Sequence, residues 1–341
     1  MKRNKYLFVF CMLLAITLAG GIFTRIYMSL EEQTAEDGKL GVVTSFYPIY
    51  IAAVNIVGDS DGVWLENLSE PQTGCLHDYQ LTPQDMILLS KADLFLVNGG
   101  GIEGFLTEAG ENCPALKVKE ATEGVELLEE YGSGFHPEEH SAQEEIHIQE
   151  DHIHGTENAH GWMDTGRYLQ MVRNMADAIS QMDQEHARLY QEHADSYCAK
   201  VTGLTERITG LRQKLEEKGK AAGGTEKGNS SSESLNVIIF HEAFAYVAEE
   251  LGLNVVYCLN LDEERQVSAG ELADLLEEIQ EHQVSVILAE EQYGRKLGET
   301  VESETDCQVY YLDTLVRGGY EKDSYLEAME KNIEVLEQAD W

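Results

Sequence analysis

Histidines are concentrated in one acidic segment of this chain. Five of its 11 histidines lie between positions 136 and 154, namely His136, His140, His147, His152 and His154. The surrounding segment 132–159 also carries seven Asp or Glu residues and no Lys or Arg. Neutral imidazole is the commonest protein ligand for metals such as zinc, so this segment is predicted to be an accessory arm that collects metal. The alternative is a solvated acidic loop with incidental histidines.

Four other potential metal ligands are spread along the chain, two in each half. His77 lies in a loop before a predicted helix, and His160 closes the acidic segment just before another helix. His241 and Asp313 each follow directly on a predicted strand. In open α/β sheets, ligands bind at the carboxyl ends of the strands. A site of three histidines and one carboxylate is therefore predicted, although each residue alone is also typical of a structural hydrogen bond or a helix cap.

The elements that must position these ligands alternate between strands and helices. Short runs of apolar and β-branched residues predict strands at 41–46, 63–68, 93–97, 237–240, 255–257, 284–288 and 309–312. Helical spacing of apolar residues between these runs predicts helices, and Thr82 and Ser268 have the residue pattern of helix N-caps. Such alternation predicts βα units with parallel strands.

The middle of the chain is predicted to be helical. A helix over 165–182 is followed by a second one from Asp183 through Leu215, which contains no proline and would be about 45–50 Å long. The expected fold is therefore α/β, with two lobes, each a four-stranded mostly parallel sheet with flanking helices, joined by a long rigid helix. The expected segments are an N-terminal lobe at 40–165 that includes the His-rich acidic loop 132–159, a helical segment at 166–218, a flexible linker at 219–235 and a C-terminal lobe at 236–341.

The first 30 residues are predicted to be a targeting segment. A basic start at 1–5 precedes an uncharged 18-residue run at 6–23, and Arg25 follows. Residues 1–30 are therefore expected to be a signal peptide or an uncleaved membrane anchor, so that the remaining chain is at the extracellular face of the cytoplasmic membrane or in the periplasm. Cys11 lies in mid-run and does not follow small residues, which argues against lipidation.

Composition and missing motifs argue against nucleic-acid binding and against two classes of hydrolase. The net charge of -38 disfavours nucleic acid as a partner and would instead attract cations. The sequence contains neither the H-E-x-x-H pattern of zinc proteases nor the G-x-S-x-G pattern of serine hydrolases, so we expect a binding protein and not an enzyme. Five cysteines follow the targeting segment, and Cys75–Cys113 and Cys258–Cys307 are the expected disulfides, with other pairings left open.

Four sequence words support a specific family. They are LHDYQLTP at 76–83, NAHGWMD at 158–164, FHEAFAY at 240–246 and LDTL at 312–315. Together with the His-rich segment and the long helix, they resemble the zinc- and manganese-binding extracellular solute-binding proteins of ABC transporters, over about residues 40–340. Leu76, Ala159 and Thr165 stand where the family pattern has proline.

This resemblance implies a set of ligands and a function. The implied metal ligands are His77, His160, His241 and Asp313, and Glu290 would support or gate the site. His241 stands where manganese-binding members have Glu, and imidazole-rich ligand sets favour zinc, so the expected cargo is Zn²⁺, with Mn²⁺ as the alternative. The chain is then expected to be a monomeric extracellular receptor that captures Zn²⁺ between its lobes and delivers it to the membrane permease of an ABC transporter. An exported zinc hydrolase and an adhesin are the alternatives.

Overall fold

A computed structural model describes most of the chain between residues 38 and 341. The described residues are 38–70, 73–77, 79–131, 157–222, 234–261 and 265–341, with six isolated positions before residue 22. The five histidines of the predicted accessory arm lie outside them, as do most of the predicted targeting segment and most of the predicted linker.

The N-terminal lobe is built on a parallel four-stranded sheet. Its strands are β1 (Leu40–Thr44), β2 (Val63–Asn67), β3 (Leu94–Val97) and β4 (Lys117–Glu120), in the order β2-β1-β3-β4. The helices between them are α1 (Tyr47–Val57), α2 (Pro83–Lys91) and α3 (Leu106–Asn112). The capping pattern at Thr82 forms, because its side chain accepts from Asp85 N–H while the Asp85 carboxylate accepts from Thr82 N–H.

Three strands of this lobe, the edge strand β4 and two short strands, have no sequence pattern that would predict them. All four residues of β4 are exposed, and three of them are charged, so the strand lacks the apolar run that identifies the others. Strands β5 (Leu128–Glu129) and β6 (Glu157–Asn158) form a separate small antiparallel pair. Each of these two contributes only two residues, too few for a period of alternation to be visible.

The C-terminal lobe repeats the arrangement. Strands β7 (Asn236–Ile239), β8 (Asn254–Cys258), β9 (Val286–Glu290) and β10 (Gln308–Leu312) form a second parallel sheet in the order β10-β9-β7-β8. The helices of this lobe are α6 (Phe244–Leu251), α7 (Ala269–Glu281), α8 (Glu291–Glu304) and α9 (Ser324–Glu337). Ser268 and Glu271 form the capping box that their spacing predicts.

Two helices between the sheets complete the fold. Helix α4 spans Thr165–Met182, and α5 spans Ala187–Ala222, which is 36 residues or about 54 Å at 1.5 Å per residue. On one side of α5, His193 Nδ1 donates to the carbonyl of Ile56 in α1, and further along Arg207 pairs with Glu330 and Glu337 of α9. The predicted α/β architecture, with two four-stranded parallel sheets and a long connecting helix, is confirmed.

One large apolar core joins the lobes. Its buried residues come from both sheets and from α4 and α5, and within it the ring of Tyr168 stacks on that of Tyr325 with centroids 3.9 Å apart. Among the described residues, no helix combines the length and the apolar composition needed to cross a bilayer.

The predicted disulfides do not form. The thiols of Cys113, Cys258 and Cys307 are free and buried. Cys258 ends β8, while Cys307 precedes β10, and these strands are the two opposite edges of the second sheet. Three strand spacings of about 4.8 Å separate these edges, whereas a disulfide needs Cα atoms within about 7 Å of each other. The pairing inferred from chain order was therefore wrong.

Candidate metal site

His160 is held in one tautomer. It follows β6, precedes a short 3₁₀ turn at Gly161–Met163, and is fully buried. Its Nδ1 lies 2.8 Å from Oδ1 of Asn158, whose Nδ2 in turn donates to the carbonyl of Glu242 at 2.9 Å. Because the amide nitrogen of Asn158 is committed to that carbonyl, its oxygen faces the ring and Nδ1 carries the proton. The lone pair of His160 is therefore on Nε2, where it can bind a cation.

The surroundings of His160 keep its ring neutral. Burial, followed by the nearby His241 and His77, lowers its pKa well below the usual value. A neutral imidazole is the form that binds metal, so no proton has to be displaced from this ring near neutral pH.

His241 and Glu242 reach the same place from the other lobe. They follow β7, and both are largely buried. The ring of His241 stands nearly perpendicular to that of His160, with centroids 5.1 Å apart, and its Nδ1 accepts from Ala243 N–H at 3.1 Å. Burial, with a smaller effect of Glu130, raises the pKa of Glu242 to about 7. Its carboxylate lies 3.8 Å from Nδ1 of His160.

His77 approaches from the loop before α2 and is the most accessible of the three rings. Its side chain is 42% exposed, and its Nε2 lies 4.0 Å from the Glu242 carboxylate. The centroid of its ring is 5.4 Å from that of His160. Leu76 is fully buried beside it and anchors the loop. The three histidines predicted from the sequence are thus brought together, and His77 provides the side that solvent can reach.

Two groups of potential ligand atoms meet at His160. Cys75, His160 and His241 form one group, and His77, His160 and Glu242 form the other, each with its ligand atoms within 4.8 Å of one another. Sequence patterns did not assign Cys75 or Glu242 to the site. The sequence did contain one indication that Glu242 lies near the site, because Glu242 comes directly after His241 and both follow the end of the same strand.

Asp313 and Glu290 are the two predicted site residues that have other partners. Neither belongs to the two groups above, within the part of the chain that the structure describes. Asp313 Oδ1 accepts from Leu315 N–H at 2.7 Å, and Glu290 pairs with Arg317 at 3.0 Å. Both line an open cavity of about 610 Å³, together with Lys331. Their predicted roles as ligand and as supporting or gating residue stay predictions.

Hydrogen bonds tie the His160 turn to the C-terminal lobe. Trp162 Nε1 donates to the carbonyl of Thr314 at 2.9 Å, and Tyr325 Oη donates to the carbonyl of Trp162 at 2.8 Å. Tyr246 Oη donates to the carbonyl of Asn158. All five residues in these hydrogen bonds are buried, so the position of His160 depends on how the two lobes pack.

Known proteins resemble this chain along nearly its whole length. The family model described as "Zinc-uptake complex component A periplasmic" matches residues 42–339. The high-affinity zinc uptake system protein ZnuA of Bacillus subtilis is 29% identical over 308 residues, which cover 88% of each chain. The zinc-binding lipoprotein AdcA of Streptococcus pneumoniae is 25% identical over 317 residues, which cover 91% of this chain but only 58% of that longer protein.

A solved structure supports the fold. The metal-dependent lipoprotein YcdH of Bacillus subtilis matches with a TM-score of 0.65 at 24% identity, and the match covers 88% of this chain and 99% of that one. The match to the family model confirms the resemblance inferred from the four sequence words. Because the family model spans all but the ends of the chain, this protein belongs to the zinc-uptake family of solute-binding proteins of ABC transporters.

Proposed function

We propose that this protein captures Zn²⁺ outside the cytoplasm and hands it to the membrane permease of an ABC transporter. The observation that carries this proposal is the convergence of His77, His160 and His241 from two lobes onto one place. His160 offers Nε2 while Asn158 holds its other nitrogen, which is how metal-binding histidines are commonly oriented. Membership of the zinc-uptake family supports the same function.

The chemistry of the ligands favours zinc over manganese. Three imidazoles supply nitrogen, and Cys75 adds a sulfur atom within reach. Nitrogen and sulfur ligands suit zinc, whereas manganese is better served by carboxylate and other oxygen ligands. Glu242 is the one carboxylate among the grouped atoms. Zn²⁺ is therefore the proposed cargo, and Mn²⁺ is the alternative that a competition experiment would reveal.

The proposal also includes export and an accessory role for the His-rich arm. The basic start and the uncharged run of the first 30 residues support export through a signal peptide or an anchor. The imidazoles and carboxylates of segment 132–159 would bind zinc weakly and raise its concentration near the main site. The sequence predicts Asp313, directly after β10, as a carboxylate ligand; its Oδ1 accepts from Leu315 N–H, and replacement of Asp313 tests this role.

One comparison of variants tests the location of the tight site. His241→Ala should lower the zinc affinity by more than about 100-fold, because loss of a direct ligand should exceed the 10–100-fold cost of losing an outer partner. Deletion of 136–154 should leave the tightest affinity unchanged. His282→Ala is the matched control, since His282 pairs with Glu278 at 3.2 Å in the same lobe, away from both ligand groups.

Zinc affinity would be measured by competition with a chelating dye, on protein shown to be folded by circular dichroism. If the deletion abolished tight binding while His241→Ala retained it, the His-rich arm would be the main site and the proposed location would be wrong.

A further inference from the structure

The thiol of Cys75 lies against the histidines. Its Sγ is 3.6 Å from Nε2 of His160, although 85 residues separate the two in the chain. Together with His241 they form a group whose ligand atoms all lie within 4.8 Å of one another. The disulfide partner that the sequence suggested for it, Cys113, is a buried free thiol.

The separation between sulfur and nitrogen matches zinc coordination. In a tetrahedral site with Zn–S of about 2.3 Å and Zn–N of about 2.0–2.1 Å, a sulfur and a nitrogen ligand are about 3.6 Å apart. The distance between Cys75 Sγ and His160 Nε2 has this value without any rearrangement. The Glu242 carboxylate instead lies 3.8 Å from Nδ1 of His160, and that nitrogen already donates to Asn158. The thiol thus faces the nitrogen that is available to metal.

The backbone around Cys75 is shaped to present it. Gly74 has a φ of 88°, a conformation that residues with a side chain rarely adopt, so the chain can turn sharply just before Cys75. The next residue, Leu76, is fully buried, and His77 follows it. Cys75 and His77 therefore lie on either side of the buried Leu76, and the side chains of both lie next to the His160 ring.

We propose that the Cys75 thiolate is a direct ligand of the captured metal, beside His77, His160 and His241. This inference rests on the proposed function, because it concerns the same site. On binding, the S–H bond breaks, the proton passes to water or buffer, and the sulfur lone pair forms the bond to Zn²⁺. A site with three nitrogens and one sulfur discriminates against manganese more strongly than one with three nitrogens and one carboxylate, because thiolate is a soft ligand.

Cobalt spectroscopy tests this directly. The full chain, reduced with a non-chelating phosphine, would be loaded with Co²⁺, which reports a bound thiolate through an intense charge-transfer band in the near ultraviolet. The band should appear in the wild type and in the matched control Cys113→Ser, and should be absent in Cys75→Ser and Cys75→Ala. The same two Cys75 variants should lose more than about 100-fold in zinc affinity while their manganese affinity changes little, because a merely structural defect would weaken both metals alike.

The outcomes separate this inference from the proposed function. Tight zinc binding without a thiolate band in the wild type would overturn the role of Cys75 and leave zinc capture standing. No tight zinc binding by the wild type would overturn both. If the Cys75 variants fail to fold, alkylation of the wild-type thiols tests the proposal instead, with the modified cysteines identified by peptide mapping. Bound zinc should protect Cys75 from alkylation. Alkylation of Cys75 at the same rate with and without bound zinc would refute the proposal.

Discussion

Replacement of Asn158 by Ala tests how the site orients its buried ring. Asn158 accepts from Nδ1–H of His160 at 2.8 Å and from its backbone N–H at 3.1 Å, and it donates to the carbonyl of Glu242 at 2.9 Å. The variant would leave three buried groups without these partners. Since each buried group that loses its partner costs about 1–3 kcal/mol, and entering water recovers part of it, the free energy of unfolding should fall by about 3 kcal/mol.

The effect on zinc should be separate from the effect on stability. Loss of the partner that orients a metal-binding histidine typically costs 10–100-fold in metal affinity, which is about 1.4–2.7 kcal/mol. Asn158→Ala should therefore bind zinc about 10–100-fold more weakly than the wild type even under conditions in which it is fully folded. Urea denaturation would give the stability, and competition with a chelating dye would give the affinity.

Asn98→Ala is the matched control. Asn98 is equally buried and donates to the carbonyl of Ala159 at 2.9 Å, so it supports the same loop without an interaction with the His160 ring. This variant should lose stability while the folded protein keeps nearly the zinc affinity of the wild type. Wild-type affinity in Asn158→Ala, or equal losses of affinity in both variants, would refute the argument that the ring hydrogen bond prepares the site.

Three further predictions concern the pH dependence of stability, the role of Asp313 and the fluorescence of Trp162. Burial, followed by the nearby Asp164 charge, raises the pKa of Glu250 from 4.5 to about 7. Between pH 4.5 and pH 7 the folded state therefore binds more protons than the unfolded state. The contribution of Glu250 to the free energy of unfolding thus increases as the pH falls through this range. The excess stability of the wild type over Glu250→Gln, from urea denaturation, should thus grow by about 1–3 kcal/mol from pH 8 to pH 5, and a flat difference would contradict the burial argument. Asp313→Asn should weaken zinc binding less than Cys75→Ser does, because its carboxylate is engaged by Leu315 N–H; an equal or larger loss by dye competition would make Asp313 a ligand. Zinc should change the tryptophan emission of the wild type but not of Trp162→Phe, since the Trp162 ring lies 5.0 Å from that of His160, and an unchanged response in the variant would assign it to another tryptophan.

Much of this fold, and three histidines that meet in the candidate site, could be predicted from local patterns. The capping boxes at Thr82 and Ser268 each join residues only three positions apart, so both partners of each hydrogen bond can be recognised within four consecutive residues. Buried parallel strands appear as short apolar runs for a similar reason, since burial on both faces demands apolar residues throughout. His77, His160 and His241 were predicted as ligands because they stand in sequence words that resemble the family's motifs and lie in loops or at strand ends.

What the sequence alone did not determine is which side chains point at one another in the folded chain. Cys75 and His160 are 85 residues apart, and their 3.6 Å approach depends on how a loop of the first sheet packs against the turn before α4. Asp313 stands at a strand end as predicted, yet its carboxylate accepts from a backbone N–H two residues on, a local hydrogen bond that competes with any ligand role. Spacing along the chain indicates which elements bear potential ligands, whereas the direction of each side chain follows from packing and hydrogen bonding that only the tertiary structure decides.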